Sequence, residues 1–371
     1  MSQSNRSGGL GALRGYAQLS GDAVVALSRR VEHMHANVLT QIHPALASPS
    51  GTTQGITGFV YRRIRDITQL SQRLTCTGLE ALSSNEQTAL SSHRAILNGL
   101  FGDHLAASGN PLALPMRLTS RSGDDVAETG WDLQQGRLLI LLPGLCMLPG
   151  QWQNNPLAVQ QQIERRCQRQ LWQLEYNSGL AILENGRQFA QQLESLYERR
   201  PNAIKDLALV GFSMGGLVAQ AGVWHAQNAG YQWPKALRHL AMLGSPQHGA
   251  ELEQIGEWLS KTLQLSRFSL PFADIAAARS HGITDLRHGL SEPVHSPMSG
   301  VRYHALAATR SASNGQKKRL RGDGLVTVSS ALASGRQTTH PVERHVIYSC
   351  HHLGLLNHPR TLIWLQRQLA T

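Results

Sequence analysis

At 371 residues, with 41% hydrophobic and 16% charged side chains, the chain has the make-up of a globular protein with a sizeable core. Its formal charge of +11 favours anionic surfaces such as lipid headgroups, but the basic residues are scattered, and the one dense run, Lys317–Gly322, reads as a solvated loop rather than a nucleic-acid face. No segment reaches the ~18 consecutive apolar residues of a membrane-spanning helix, the first residues lack the apolar core of a secretory leader, and the four cysteines form no C-x-x-C pair, so a cytoplasmic setting is expected.

The first 110 residues read as a helical extension. Val24, Leu27, Val31, Met34, Val38 and Ile42 recur at three- and four-residue steps, which marks one apolar helix face. Pro44–Gly55 is a loop, and further helical stretches are expected at about 59–74 and 86–104.

From residue 111 onward the texture changes. A short, continuous apolar run, expected of a strand buried on both faces, falls at 137–144, and further candidate strands follow at 170–176, 206–211, 237–246, 301–309 and 345–349. Helical patterns lie between and after them at about 158–167, 182–199, 216–228 and 359–369. Strands alternating with helices predict an α/β domain over 111–371, a mostly parallel central sheet with helices on both faces. In such sheets chemistry gathers at the carboxyl ends of the strands.

Several segments at those ends carry chemistry. "GFSMG" places Ser213 between glycines where an apolar run meets a helical one, the context of a nucleophile elbow. "LPGLCMLPG" follows the first buried run; the amides of Leu145 and Met214 are candidate oxyanion donors. "RGDGLV" sets Asp323 in a glycine-flanked turn, and "YSCHHLGLL" sets His351 and His352 after the last strand. The order Ser, Asp, His is that of an α/β hydrolase and not of chymotrypsin or subtilisin. Asp285 is the rival acid; His340, His345 and His358 are the rival bases. His352 is preferred to His351 because neighbouring side chains in an extended loop point apart, and only one can reach Ser213.

Taken together, "LLPGLCMLPGQW", "LVGFSMGGLVAQ", "LGSPQHGAELEQIG", "GDGLVTVSSAL" and "HHLGLLNHP" resemble the lipase and esterase branch of the α/β hydrolases, and are similar to bacterial triacylglycerol-lipase-like and GPI inositol-deacylase-like members. The chain departs from that pattern at Pro143–Gly144, where the family has His-Gly. The resemblance implies an esterase acting through Ser213, His352 and Asp323, without metal or cofactor. "HLGLL" at His352–Leu356 matches its histidine register.

A cap is expected at about 250–300, where Leu252, Ile255, Leu259 and Leu263 share a helical face beside Trp258; it points to an apolar acyl chain. The expected substrate is a small-molecule ester or lipid, met at an anionic membrane surface. The same residues are compatible with acyl transfer, or with thioester or amide cleavage. A non-catalytic docking role is disfavoured by the retention of all three triad residue types. Cys146 and Cys350 are read as packing residues. His33 and His35, two apart on a helix, face different ways and make no metal pair.

Overall fold

The computed structural model describes residues 87–129, 131, 133–149, 156–250, 280–290, 298–312, 322–334 and 342–370, with 11, 14–15, 17–26 and 29 near the start. The chain divides into two compact units, Met1–Ser91 with His104–Ala113, and Ser92–Asp103 with Leu114–Thr371.

Within the first unit residues 17–26 are helical. His104 Nε2 pairs with Asp22 Oδ2 at 3.0 Å, and Asn110 Nδ2 donates to Gly15 O at 3.2 Å. Leu19 is buried, but Val24, expected on the apolar face, is 45% exposed. At about 100° per residue it lies roughly 140° around the helix from Leu19. The rest of that stripe, and the helix expected at 59–74, lie outside the described residues.

The second unit is built on a seven-stranded sheet of order β1-β3-β2-β4-β5-β6-β7. Its strands are β1 (Arg117–Ser120), β2 (Arg137–Leu142), β3 (Gln170–Glu175), β4 (Asp206–Phe212), β5 (Leu237–Leu243), β6 (Arg302–Ala308) and β7 (Val342–Ile347). All neighbours are parallel except β1, which pairs antiparallel with β3 at one edge. The helices are α1 (Gln87–Ala107), α2 (Val126–Thr129), α3 (Pro156–Cys167), α4 (Ile182–Arg199), α5 (Met214–Asn228), α6 (His281–His288), α7 (Val328–Ala331), α8 (Gly354–Asn357) and α9 (Pro359–Leu369).

The central strands β2, β4, β5 and β6 are mostly apolar because both faces are covered, with polar residues confined to their amino ends, such as Arg137, Asp206, His239 and His304. Leu139 and Leu141, Ala208 and Val210, Ala241 and Leu243, and Leu306 and Ala308 meet Ile163 of α3 and Trp364 and Leu365 of α9. The alternate residues point the opposite way, as strand pleating requires; there Ala305 and Ala307 pack on Val328 and Ala331 of α7. At the amino ends of the strands, buried Arg169 pairs with Asp206 at 2.6 Å and donates to Leu369 O, tying the end of α9 to the sheet.

The observed elements differ from the sequence expectation in a few places. β5 stops at Leu243 because Gly244 turns at φ 61° ahead of Pro246. β7 begins at Val342, earlier than expected, and its Glu343, Arg344 and His345 are exposed, so it lacks the apolar texture of a central strand. β1 has no counterpart in the expectation. The Leu252 to Leu263 stripe of the expected cap lies outside the described residues; from that region the structure describes α6, with Ser280 as its N-cap.

Candidate active site

Ser213 alone carries the reversal from β4 to α5, at φ 53° and ψ −123°, backbone that L residues rarely adopt. The glycines around it are steric requirements. A Cβ on Gly211 would stand 2.3 Å from Gly216 Cα, and one on Gly215 would stand 2.2 Å from Leu142 O. Ser213 N–H donates to Leu243 O at 2.8 Å, which pins the elbow to the end of β5. Met214 N–H is the first amide of α5, one of the donors a helix leaves without an internal acceptor.

Asp323 and His352 lie on the turns that follow β6 and β7. Asp323 is 1% exposed. Its Oδ1 accepts from Leu325 N at 2.9 Å and Val326 N at 2.8 Å, while Oδ2 accepts from His352 Nδ1 at 2.7 Å. A carboxylate only accepts, so Nδ1 carries the proton and Nε2 has a free lone pair. His352 Nε2 is buried and has no hydrogen-bond partner among the described residues. The ring lies 4.9 Å, centroid to centroid, from Phe212, the residue before Ser213. Two bonds to its carbonyl clamp the acid turn: the backbone His352 N donates to Asp323 O at 3.3 Å, and the side-chain Arg310 Nε donates to the same oxygen at 3.1 Å.

Gly144–Met147 forms a tight turn after β2, closed by Met147 N–H to Gly144 O at 3.3 Å. Gly144 lies against the elbow; a Cβ on it would be 3.2 Å from Ser213 Cβ. Tyr176 OH donates to Pro143 O at 2.8 Å, and Cys146 N–H donates to Ser178 Oγ at 3.1 Å. Ser213 and His352 line one pocket with Gly144 and Leu145, and its apolar walls are Met147, Phe212, Leu286 and Leu325. Among the described residues no group of three or more His, Cys, Asp or Glu could hold a metal ion.

A seven-stranded, mostly parallel sheet with a serine elbow after its central strand decides the architecture. The fold is that of an α/β hydrolase. The model of the PGAP1-like alpha/beta domain family matches residues 135–268 of this hydrolase-fold chain, a span that includes Leu145 and Ser213 and ends before Asp323 and His352. Similar solved structures include a lipase of Bacillus licheniformis in its mature form, at 17% identity and a TM-score of 0.43 over 63% of this chain and 92% of that one. The type II thioesterase BorB of the borrelidin biosynthetic cluster is similar at 19% identity and a TM-score of 0.43, over 69% of this chain and 97% of its own. The phospholipase PlaB of Legionella pneumophila is similar at 16% identity and a TM-score of 0.45, over 63% of this chain and 60% of its own. No curated protein matches the chain in sequence.

Asp285, His351 and His358 are engaged elsewhere. Asp285 Oδ2 accepts from Ile182 N at 2.9 Å, at the start of α4. His351 is exposed, and its Nδ1 accepts from Gly354 N at 3.1 Å. His358 caps α9 through Arg360 N, His345 is exposed on β7, and His340 lies outside the described residues. Cys146 and Cys350 are buried thiols whose ionisation burial pushes up, Cys146 to about 12. Tyr176, Ser178, Arg310 and Leu286 belong to the surroundings of the site without having been singled out in the sequence. Tyr176 and Ser178 do follow β3 at the carboxyl edge, which was a usable signal.

Proposed function

We propose that the chain is a serine hydrolase cleaving carboxylic esters with an apolar acyl chain. The observation that carries this reading is the Asp323 to His352 hydrogen bond of 2.7 Å, with His352 Nε2 left unbonded in the pocket that Ser213 lines. Nε2 takes the Ser213 proton as Oγ attacks the ester carbonyl, and Asp323 stabilises the imidazolium that forms. The amides of Leu145 and Met214 receive the negative oxygen of the tetrahedral intermediate; the helix dipole of α5 supports the second. Collapse passes the proton from Nε2 to the leaving alcohol and leaves an acyl group on Ser213. Water, deprotonated by the same nitrogen, then releases the acid.

The apolar walls at Met147, Phe212, Leu286 and Leu325 support an aliphatic acyl group rather than a small polar one. The formal charge of +11 supports an anionic lipid surface as the place where such substrates are met. Among the described residues no helix is long and apolar enough to cross a membrane. Turnover of p-nitrophenyl acyl esters by the wild-type chain, absent in Ser213→Ala, is the expected result; equal turnover by both would overturn the proposal.

A further inference from the structure

We infer that Cys146 is a positioning residue that fixes the amide of its neighbour Leu145, and that Gly99 of α1 forms the seat that holds it. The inference rests on the reading above that Leu145 supplies an oxyanion donor. Cys146 sits third in the Gly144–Met147 turn at φ 61°, in the left-handed region where glycine or asparagine is the ordinary choice. A side chain persists in such backbone only where its surroundings over-determine it. Here they do. The Cys146 N–H donates to Ser178 Oγ at 3.1 Å, and Sγ lies 3.8 Å from Ile96 O. The thiol rests on Gly99 so closely that a Cβ there would stand 2.2 Å from Sγ.

Ile96 and Gly99 are three residues apart on α1, on one helix face, within the stretch that shares a compact unit with the sheet. Gly102, just past a kink at Phe101, makes a second close approach: a Cβ on it would stand 1.8 Å from Asn177 Oδ1, and Asn177 Nδ2 donates to Gly102 O at 2.8 Å. Gly99 O also accepts from Ser280 Oγ at 2.7 Å, and Ser280 is the N-cap of α6, the helix that carries Leu286 into the pocket. α1, through Gly99, therefore braces both the Leu145 turn and the helix behind the pocket wall. Burial pushes the thiol up to about 12, in keeping with a side chain that acts by occupying the space against Gly99.

The test exchanges the side chain between the two positions. Gly99→Ala drives its methyl into Sγ and shifts the turn; kcat should fall about 10²-fold with KM little changed, and labelling by a fluorophosphonate, whose phosphoryl oxygen takes the oxyanion position, should slow in parallel. Cys146→Gly keeps the positive φ but frees the turn, and should lose roughly tenfold in kcat. In the double variant the new methyl takes the space of the lost thiol, and the next-nearest atoms to a Cβ at 99, Cys146 N and Cα at 3.2 and 3.3 Å, need to give by only a few tenths of an ångström, which the freed turn allows. It should recover kcat to within about fivefold of wild type, a coupling that independent sites do not show. A double variant no better than Gly99→Ala overturns the inference; if Gly99→Ala fails to fold, wild-type kcat in Cys146→Gly does so. Labelling of the wild-type chain that does not depend on Ser213 would instead overturn the functional reading beneath it.

Discussion

Asp323 and His352 meet in a buried hydrogen bond of 2.7 Å, and the other carboxylate oxygen of Asp323 is held by two peptide N–H groups. The acid cannot turn away from the imidazole without abandoning all three bonds. That makes the His352 tautomer a consequence of the Asp323 turn. Asp323→Asn keeps an oxygen for the peptide donors but presents an NH₂ group to Nδ1, which forces the proton to Nε2. The expected loss in kcat is about 10⁴, the size that a wrong tautomer costs in a serine triad. Steady-state ester kinetics measures it, with a thermal melt to show retained structure. Asp285→Asn should reduce stability through the start of α4 and leave kcat within a few-fold; the reverse pattern would move the acid to Asp285.

The two adjacent histidines should separate cleanly. His352→Ala removes the base and is expected to abolish turnover. His351→Ala removes only an exposed ring that accepts from Gly354 N, at an expected cost of about 1 kcal/mol in stability and a mild effect on kcat. Circular dichroism excludes unfolding as the cause. Near-complete loss at 351 with a mild effect at 352 would contradict the assignment.

Acyl-chain length should be read by the pocket walls at Met147, Leu286 and Leu325. Each methylene newly buried there is worth up to about 0.8 kcal/mol, so kcat/KM should rise by as much as about fourfold per CH₂ from acetyl toward medium-length acyl esters. A p-nitrophenyl ester series measures the slope, and Leu286→Ser should flatten it. A strict preference for acetyl would contradict this reading.

Stability should fall on acidification through a buried pair remote from this chemistry. His239 on β5 stacks on His304 on β6, with Nδ1 and Nε2 3.2 Å apart, and His304 faces Glu343 at 3.4 Å. Burial holds His239 down to about 3, helped by the positive charges of Arg169 and Arg302 and by His304, against a smaller opposing pull from Asp206. Burial also lowers His304, against Glu343. A depressed histidine binds fewer protons folded than unfolded, so its stability is complete above the unfolded value near 6.5 and is lost as pH falls from there toward 3. The slope per such proton is about 1.4 kcal/mol per pH unit within that window. Urea unfolding between pH 7 and 4 should show a flatter dependence in His239→Asn than in wild type; identical slopes would contradict the assignment.

The sheet was largely legible because the central strands β2 and β4 are almost unbroken apolar runs and β5 and β6 are mostly apolar, and the strand-to-helix alternation around Ser213 follows from them. β1 was not legible: four residues, three of them polar, pair antiparallel at an edge where burial is incomplete. β7 was misplaced at its start because Glu343, Arg344 and His345, three exposed polar residues in a row, break the apolar pattern there. The glycines at 211 and 215 pointed to the elbow through a steric need that sequence spacing expresses. The left-handed turn at Cys146 did the opposite, since a cysteine there conceals a position where glycine would have been read at once. Its seat on Gly99 joins residues far apart in the chain, a relationship that local periodicity does not encode.

The most direct measurement is the site of covalent modification. The chain is incubated with a fluorophosphonate probe, digested, and its adduct mapped by mass spectrometry, beside Ser213→Ala treated identically. The account predicts a single adduct on Ser213 and no labelling of the variant, with the fold of both intact. An adduct on another serine, or labelling of Ser213→Ala at the wild-type rate, would contradict it.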